Sequence, residues 1–175
     1  MILIKTAEEI ELMRNSNQLV SKTLAELAKH IEPGVSTEKL DQIAEAFIRD
    51  HGAVPGFLGY QGYPKTLCTS VNSQVVHGIP SHKVILNEGD LISVDCGVIK
   101  EGFYGDTAFS FEVGEVSEKV RSLLSTTRES LMRGIEQVHL RRWCLVTVFC
   151  EPHLRQRSIT QRWRCLHVHL HKPWW

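Results

Sequence analysis

The run VVHGIPSHKVILNEGDLISVDCGVIKEGFYGDTAFSF, residues 75–111, holds the side chains of this 175-residue chain best suited to chemistry. Asp95 and Asp106 each sit in the middle of a stretch that alternates like a β-strand, a place where Asp is disfavoured. His77 precedes Gly78-Ile79-Pro80 just upstream. Two carboxylates held ~5 Å apart across a sheet repel by roughly 3 kcal/mol at an effective dielectric of 20. Nothing near them in sequence offers a neutralising base; Lys100 lies at the turn. Either one carboxyl keeps its proton or a cation sits between the pair, and paired divalent ions ~3.5–4 Å apart are a common hydrolytic device. The plain alternative is two surface aspartates on a solvated sheet face. His77 likewise has two readings, a loop histidine packed on Pro80 or a donor beside a substrate, since imidazole titrates near working pH.

Whether the carboxyls meet is a question of register. LISVDCGV sets Ile92, Val94, Cys96 and Val98 on one face and Leu91, Ser93, Asp95 and Gly97 on the other, by the two-residue period of a strand. FYGDTAFSF sets Tyr104, Asp106, Ala108 and Ser110 together in the same way. The short link IKEG predicts a hairpin. A four-residue loop over 99–102, built on a type I turn, pairs Val98 with Phe103 and puts Asp95 directly opposite Asp106. A three-residue loop, KEG, sends the carboxyls to opposite faces. The four-residue loop is the expectation adopted here.

The elements that must carry this hairpin are legible from periodicity. A helix is predicted over 6–31, with Thr6 as cap and Glu9 completing a capping box. Its stripe is Ile10, Met13, Val20, Leu24, Leu27 and Ile31, interrupted by Asn17 and stopped by Pro33-Gly34. A second helix follows over 37–51, capped by Ser36 or Thr37, with Leu40, Ile43, Ala44 and Phe47 inward. GFLGYQGYPK reads as an ordered loop and TLCTSV as a short strand. A third helix spans 117–138, with Val120, Leu123, Leu124, Leu131 and Ile135 inward. This order gives an α+β fold, an antiparallel sheet with helices packed on one face.

These motifs together resemble type I methionine aminopeptidases, metal-dependent enzymes of the pita-bread fold. The HGIP loop, the EGD turn, the VD strand and the GDT strand occur in the family's order and spacing, from the first helix to about Leu140. The resemblance implies the first half of a pita-bread fold and removal of the initiator methionine from nascent chains by metal-activated water. It implies two divalent metal ions, with Co, Mn, Fe, Zn and Ni not distinguished, Asp95 on one ion and Asp106 bridging both. His77 matches a histidine that contacts the substrate near the scissile bond. Phe57, Tyr60 and Tyr63 fall where the family walls its methionine pocket, though they could equally pack the loop. Asn72 falls near the family's monovalent-cation site. The implied partners are N-terminal methionyl peptides, nascent chains and the ribosome, with no membrane, for a monomer in the cytoplasm.

A composition seam divides the chain. Residues 1–140 carry 13 basic and 19 acidic residues, a net charge of −6, whereas 141–175 carry 7 and 1, a net charge of +6. All four Trp, three of five Cys and four of nine His lie in the last 35 residues, which contain no Gly, Ala, Asp or Asn. The expectation is therefore a catalytic-domain half over 1–140 and an unrelated tail over 141–175, consistent with a shifted reading frame and poor packing. The family's remaining ligands, a histidine in a GHG-like strand and two later glutamates, find no match, so the 175-residue chain is expected to be inactive. The alternatives are a non-catalytic pita-bread binding protein and a non-functional fragment. Within the tail, His167, His169 and His171 alternate and could bind Zn²⁺ or Cu²⁺, and its basic charge could contact nucleic acid. No apolar run reaches the ~18 residues of a membrane helix, the N-terminus lacks a secretory pattern, and the cysteines show no CxxC spacing.

Overall fold

The computed structural model describes residues 4–136. The tail expectations, including the three alternating histidines, lie outside the described residues. The chain divides into two compact units, Met1–Arg121 and Ser122–Trp175. The first holds two helices, α1 (Ala7–Ala28) and α2 (Thr37–Asp50), and four strands, β1 (Val54–Pro55), β2 (Leu67–Val71), β3 (Leu91–Lys100) and β4 (Phe103–Glu112). A third helix, α3 (Glu118–Glu136), begins there and supplies the described part of the second unit.

Local chemistry accounts for both helix starts. The Thr6 hydroxyl accepts from the Glu9 N–H while the Glu9 carboxylate accepts from the Thr6 N–H, so the capping box forms as expected. Ser36, not Thr37, caps α2, accepting from the Lys39 N–H at 3.2 Å. Thr37 is buried and bonds the Ser81 backbone instead. Helix α1 ends earlier than the sequence suggested, at Ala28, and Ile10 at its start is 47% exposed, outside the core.

β3 is the central strand. Its whole length pairs antiparallel with β4 on one side. On the other side it pairs with β1 at Val98 and Ile99 and with β2 from Ile92 to Cys96. β1 and β2 are thus two pieces of one edge strand, and residues 56–66 are an excursion that leaves it opposite Gly97 and returns at Leu67. The core lies on one face, where Ile92, Val94, Cys96 and Val98 are buried against Leu19, Val20, Leu24 and Leu27 of α1 and Leu40, Ala44 and Ile48 of α2. The helices accordingly cover one face, and the face carrying Asp95 is the other. Among the described residues no helix is long and apolar enough to cross a membrane.

Two expectations need correction. The hairpin is tighter than a four-residue loop: Lys100 pairs with Phe103, and only Glu101 and Gly102 turn, both at positive φ (52° and 81°). That is the two-residue type I′ geometry, whose twist suits the flanking strands. In α3, Leu131 and Ile135 were expected inward but are each 55% exposed.

Candidate metal site on the open sheet face

The tighter turn shifts the strands by two residues from the expected pairing. Asp95 stands opposite Ala108, and Asp106 stands opposite Gly97. A two-residue shift preserves parity, so the carboxyls remain on one face as diagonal neighbours; a shift of one would have separated them. The Ser93 and Ser110 hydroxyls, a directly opposed pair on that face, lie 2.8 Å apart.

The carboxyls interact strongly. Asp95 is half-buried, and burial raises its pKa despite hydrogen bonds from Asp106 and from the Cys96 N–H. Asp106 keeps an exposed flank on the outer strand. Its carboxyl is nonetheless pushed up to about 7, first by the loss of water on its protein side and then by the Asp95 charge. No Lys, Arg or His forms an ion pair with either one among the described residues. Two crowded carboxyls, oxygen donors with no protein cation, form a donor set that fits a divalent metal ion. Among the described residues no third His, Cys, Asp or Glu joins them.

The excursion brings its own side chains to this face. The Gly56 N–H donates to the Gly97 carbonyl at 2.8 Å, and the Phe57 ring then lies directly over Gly97. A Cβ at Gly97 would come within 2.5 Å of the Phe57 ring. Gly97 is the cross-strand partner of Asp106, so Phe57 stands beside the carboxyl pair. Tyr63 turns inward: its hydroxyl donates to the Leu67 carbonyl at 2.9 Å and lies 3.4 Å from the Gly78 carbonyl. Burial and the neighbouring Cys68, Asp41 and Asp95 keep that phenol neutral. Cys68 is opposite Asp95 on β2, and burial pushes its thiol up, partly offset by its bond to the Tyr63 hydroxyl. Tyr60 is more peripheral, 41% exposed, with its hydroxyl 3.0 Å from Gln61 Nε2.

His77 is exposed and takes a left-handed backbone conformation, φ 57°, uncommon outside glycine. Its neighbour fixes it. The Gly78 carbonyl accepts from the Thr69 N–H at 2.7 Å, and the Gly78 N–H donates to Ser70 Oγ. A Cβ on Gly78 would collide with the Thr69 carbonyl. The loop is thus stapled to β2, and Tyr63 touches the same carbonyl. Asn72 is also left-handed; it binds Asp90 Oδ1 at 2.7 Å and caps the Leu91 N–H.

Sequence reading passed over Asp41, Cys68 and Gly97. Asp41, 4% exposed on α2, accepts the Thr66 and Leu67 N–H groups at 2.9 and 2.8 Å, pinning the excursion where it rejoins the sheet. No local pattern announces that contact. Gly97 did carry a signal, because a glycine inside a strand marks close approach of other atoms.

Known proteins resemble this chain over most of its length. Methionine aminopeptidase of Clostridium acetobutylicum is 49% identical over 137 residues, covering 78% of this chain and 55% of that protein. Solved structures of methionine aminopeptidase from Rickettsia prowazekii (40% identity, TM-score 0.75) and Thermotoga maritima (38%, 0.76) superpose on 77% and 79% of this chain, and on 54% and 55% of theirs. The chain therefore spans about half the length of the relatives it matches, and its fold is that of their pita-bread first half. The profile of metallopeptidase family M24 matches residues 11–168, past the seam near 140. On that profile match and on the identity to these relatives, the chain belongs to metallopeptidase family M24.

Proposed function

We propose that residues 1–140 form the half of a methionine aminopeptidase that supplies Asp95 and Asp106 to a pair of divalent ions and presents the pocket for an N-terminal methionine. The observation that carries this reading is the pair of carboxyls crowded on one face without a protein cation. Asp95 and Asp106 would hold these ions. Such ions, when bound, activate water and polarise a scissile carbonyl.

The protein's own groups do the positioning. His77, fixed by the Gly78 staple, would touch the peptide near the scissile bond. Phe57, Tyr60 and Tyr63 would wall the methionine side chain, an unbranched thioether suited to aromatic surfaces. Tyr63 is anchored through its hydroxyl, so it offers its ring and not a proton. Asn72 would stand beside a monovalent cation. The substrates are N-terminal methionyl peptides and nascent chains at the ribosome, in the cytoplasm.

The 175-residue chain alone is expected to release no methionine, because only two donors stand together among its described residues and catalysis needs a preorganised, enclosed site. The test joins residues 1–140 to the second half of a relative and follows methionine release from Met-Ala-Ser with added Co²⁺ or Mn²⁺. Turnover is expected in the joined chain, none in its Asp106→Ala variant or in the 175-residue chain. Release unaffected by Asp106→Ala would sink the assignment. EDTA-sensitive release by the 175-residue chain would show that it completes the site by itself.

A further inference from the structure

β3 does not hold the Asp106 peptide. Lys100 and Phe103 flank a two-residue turn and are therefore a hydrogen-bonded pair. Bonding to β3 alternates from there, so Gly105 and Thr107 bond to it and the peptide groups of Asp106 point away. Side chains meet them instead: Asn17 Oδ1 on α1 accepts the Asp106 N–H at 3.4 Å, and the Thr107 hydroxyl donates to the Asp106 carbonyl at 2.7 Å. Thr107 moves with β4, so of these two contacts only the Asn17 one ties the Asp106 peptide to another element. The Asn17 amide is itself aimed, because its Nδ2 donates to the Met13 carbonyl at 2.9 Å, one turn back along the helix.

The helix is brought to this spot by its neighbours. Ser16 is buried, and its hydroxyl donates to the Phe103 carbonyl at 2.9 Å, at the base of the hairpin. Next to it α1 crosses β4 at Gly105, where a Cβ would come within 2.7 Å of the Ser16 carbonyl and the Asn17 nitrogen. A glycine inside a strand marks such a close approach. The interruption that Asn17 makes in the apolar stripe of α1 therefore falls where the helix meets the strand that carries Asp106.

We propose that Asn17 is a positioning residue for Asp106, holding its peptide so that the carboxyl meets that of Asp95 in the geometry a divalent ion needs. The inference rests on the reading under Proposed function that this pair takes divalent ions, and it adds that their affinity is set from α1. Asp95 sits on β3, which is paired along both edges. Asp106 sits on β4, which among the described residues is paired along one. Like charges on the two carboxyls push the less supported strand away, and the bond from Asn17 opposes that movement. Groups that orient a ligand in this way tune a metal without touching it.

Titration of the full chain with Mn²⁺, the bound ion counted by electron paramagnetic resonance, reads the site, with Asp106→Asn as the blank. Asn17→Ala removes the amide and suits the helix, since Ala is the better helix former. The expected result is Mn²⁺ affinity about tenfold weaker, the lower end for groups that orient a metal's ligands, with far-UV circular dichroism unchanged and the Asp106 amide exchanging faster with solvent. Should that variant lose its circular dichroism, Asn17→Leu, of nearly the same shape without the acceptor, replaces it with the same expectation. A contact that serves only the packing of α1 would lower the unfolding midpoint and leave the affinity of the folded chain as it was. Wild-type Mn²⁺ affinity in the folded variant, or an Asp106 amide that exchanges no faster there, therefore overturns the positioning role and leaves the metal reading standing. No Mn²⁺ bound by the wild type, or binding that persists in Asp106→Asn, overturns both.

Discussion

Asp41→Ala should loosen the excursion that carries Phe57, Tyr60 and Tyr63. One oxygen, Asp41 Oδ1, accepts both the Thr66 and Leu67 N–H groups in a buried setting. Truncation strands two buried donors, each worth roughly 1–3 kcal/mol, so the expected loss is about 2–6 kcal/mol. Asp41→Asn is the informative contrast. Its amide oxygen can occupy the Oδ1 position and keep both bonds, so the loss should stay below about 1 kcal/mol. The pH dependence has a definite sign. Burial raises the Asp41 pKa; the two N–H bonds and Lys65 oppose this, and Glu45 adds to it. A raised carboxyl favours the folded state below the ordinary carboxylate range and loses that contribution as pH rises through its folded value. The Asn variant carries no such loss and should gain on the wild type as pH rises through that window. Urea unfolding followed by far-UV circular dichroism gives the free energies, and hydrogen exchange at the Thr66 and Leu67 amides gives the local readout. An Ala variant within about 0.5 kcal/mol of wild type, with both amides still protected, would refute the reasoning; so would an Asn variant as damaged as Ala.

Three further outcomes follow from the same geometry. Gly97→Ala should displace the Phe57 ring and cost about 1–3 kcal/mol, and a double-mutant cycle should show that loss shrinking in a Phe57→Ala background. Glu101→Asn should stabilise the hairpin by about 0.5–1 kcal/mol, since Asn tolerates the left-handed backbone at the first turn position better than Glu; an unchanged or lower melting temperature would count against a type I′ turn. Gly78→Ala should cost about 2 kcal/mol or more by driving Gly78 off the Thr69 carbonyl, and it should speed exchange of the Thr69 amide.

Much of this fold was legible because its elements are locally consistent. Thr6 and Glu9 announce α1 through a box that closes within three residues. Ile92, Val94, Cys96 and Val98 announce the buried face of β3 by strict alternation. The misses share a cause, dependence on contacts distant in sequence. Asp41 reads as a solvated helix residue until Thr66 and Leu67, 25 and 26 positions away, come to it. β1 and β2 look unrelated until β3 aligns them as one interrupted strand.

The hairpin shows how an incorrect step can leave a correct consequence. Pairing fell two residues from expectation because Glu101 accepts a backbone conformation its side chain does not favour. What survives is parity: any even shift keeps Asp95 and Asp106 on one face. Diagonal neighbours sit ~7–8 Å apart at their Cα atoms, against ~5 Å for the Cβ atoms of a direct pair. The carboxyls must therefore lean toward each other to interact as they do. The offset leaves Gly97, not Asp95, opposite Asp106, with the Phe57 ring over Gly97. In any register of β4, Gly97 stays two residues from Asp95 on the same face, and the Gly56 N–H bond to its carbonyl holds Phe57 over it. The two-residue turn thus sets the spacing of the carboxyls, and the contact with Gly97 on the other edge of β3 sets the place of the Phe57 ring, so lengthening the turn by one residue should send the carboxyls to opposite faces, abolish any metal binding by the pair and leave the burial of Phe57 unchanged.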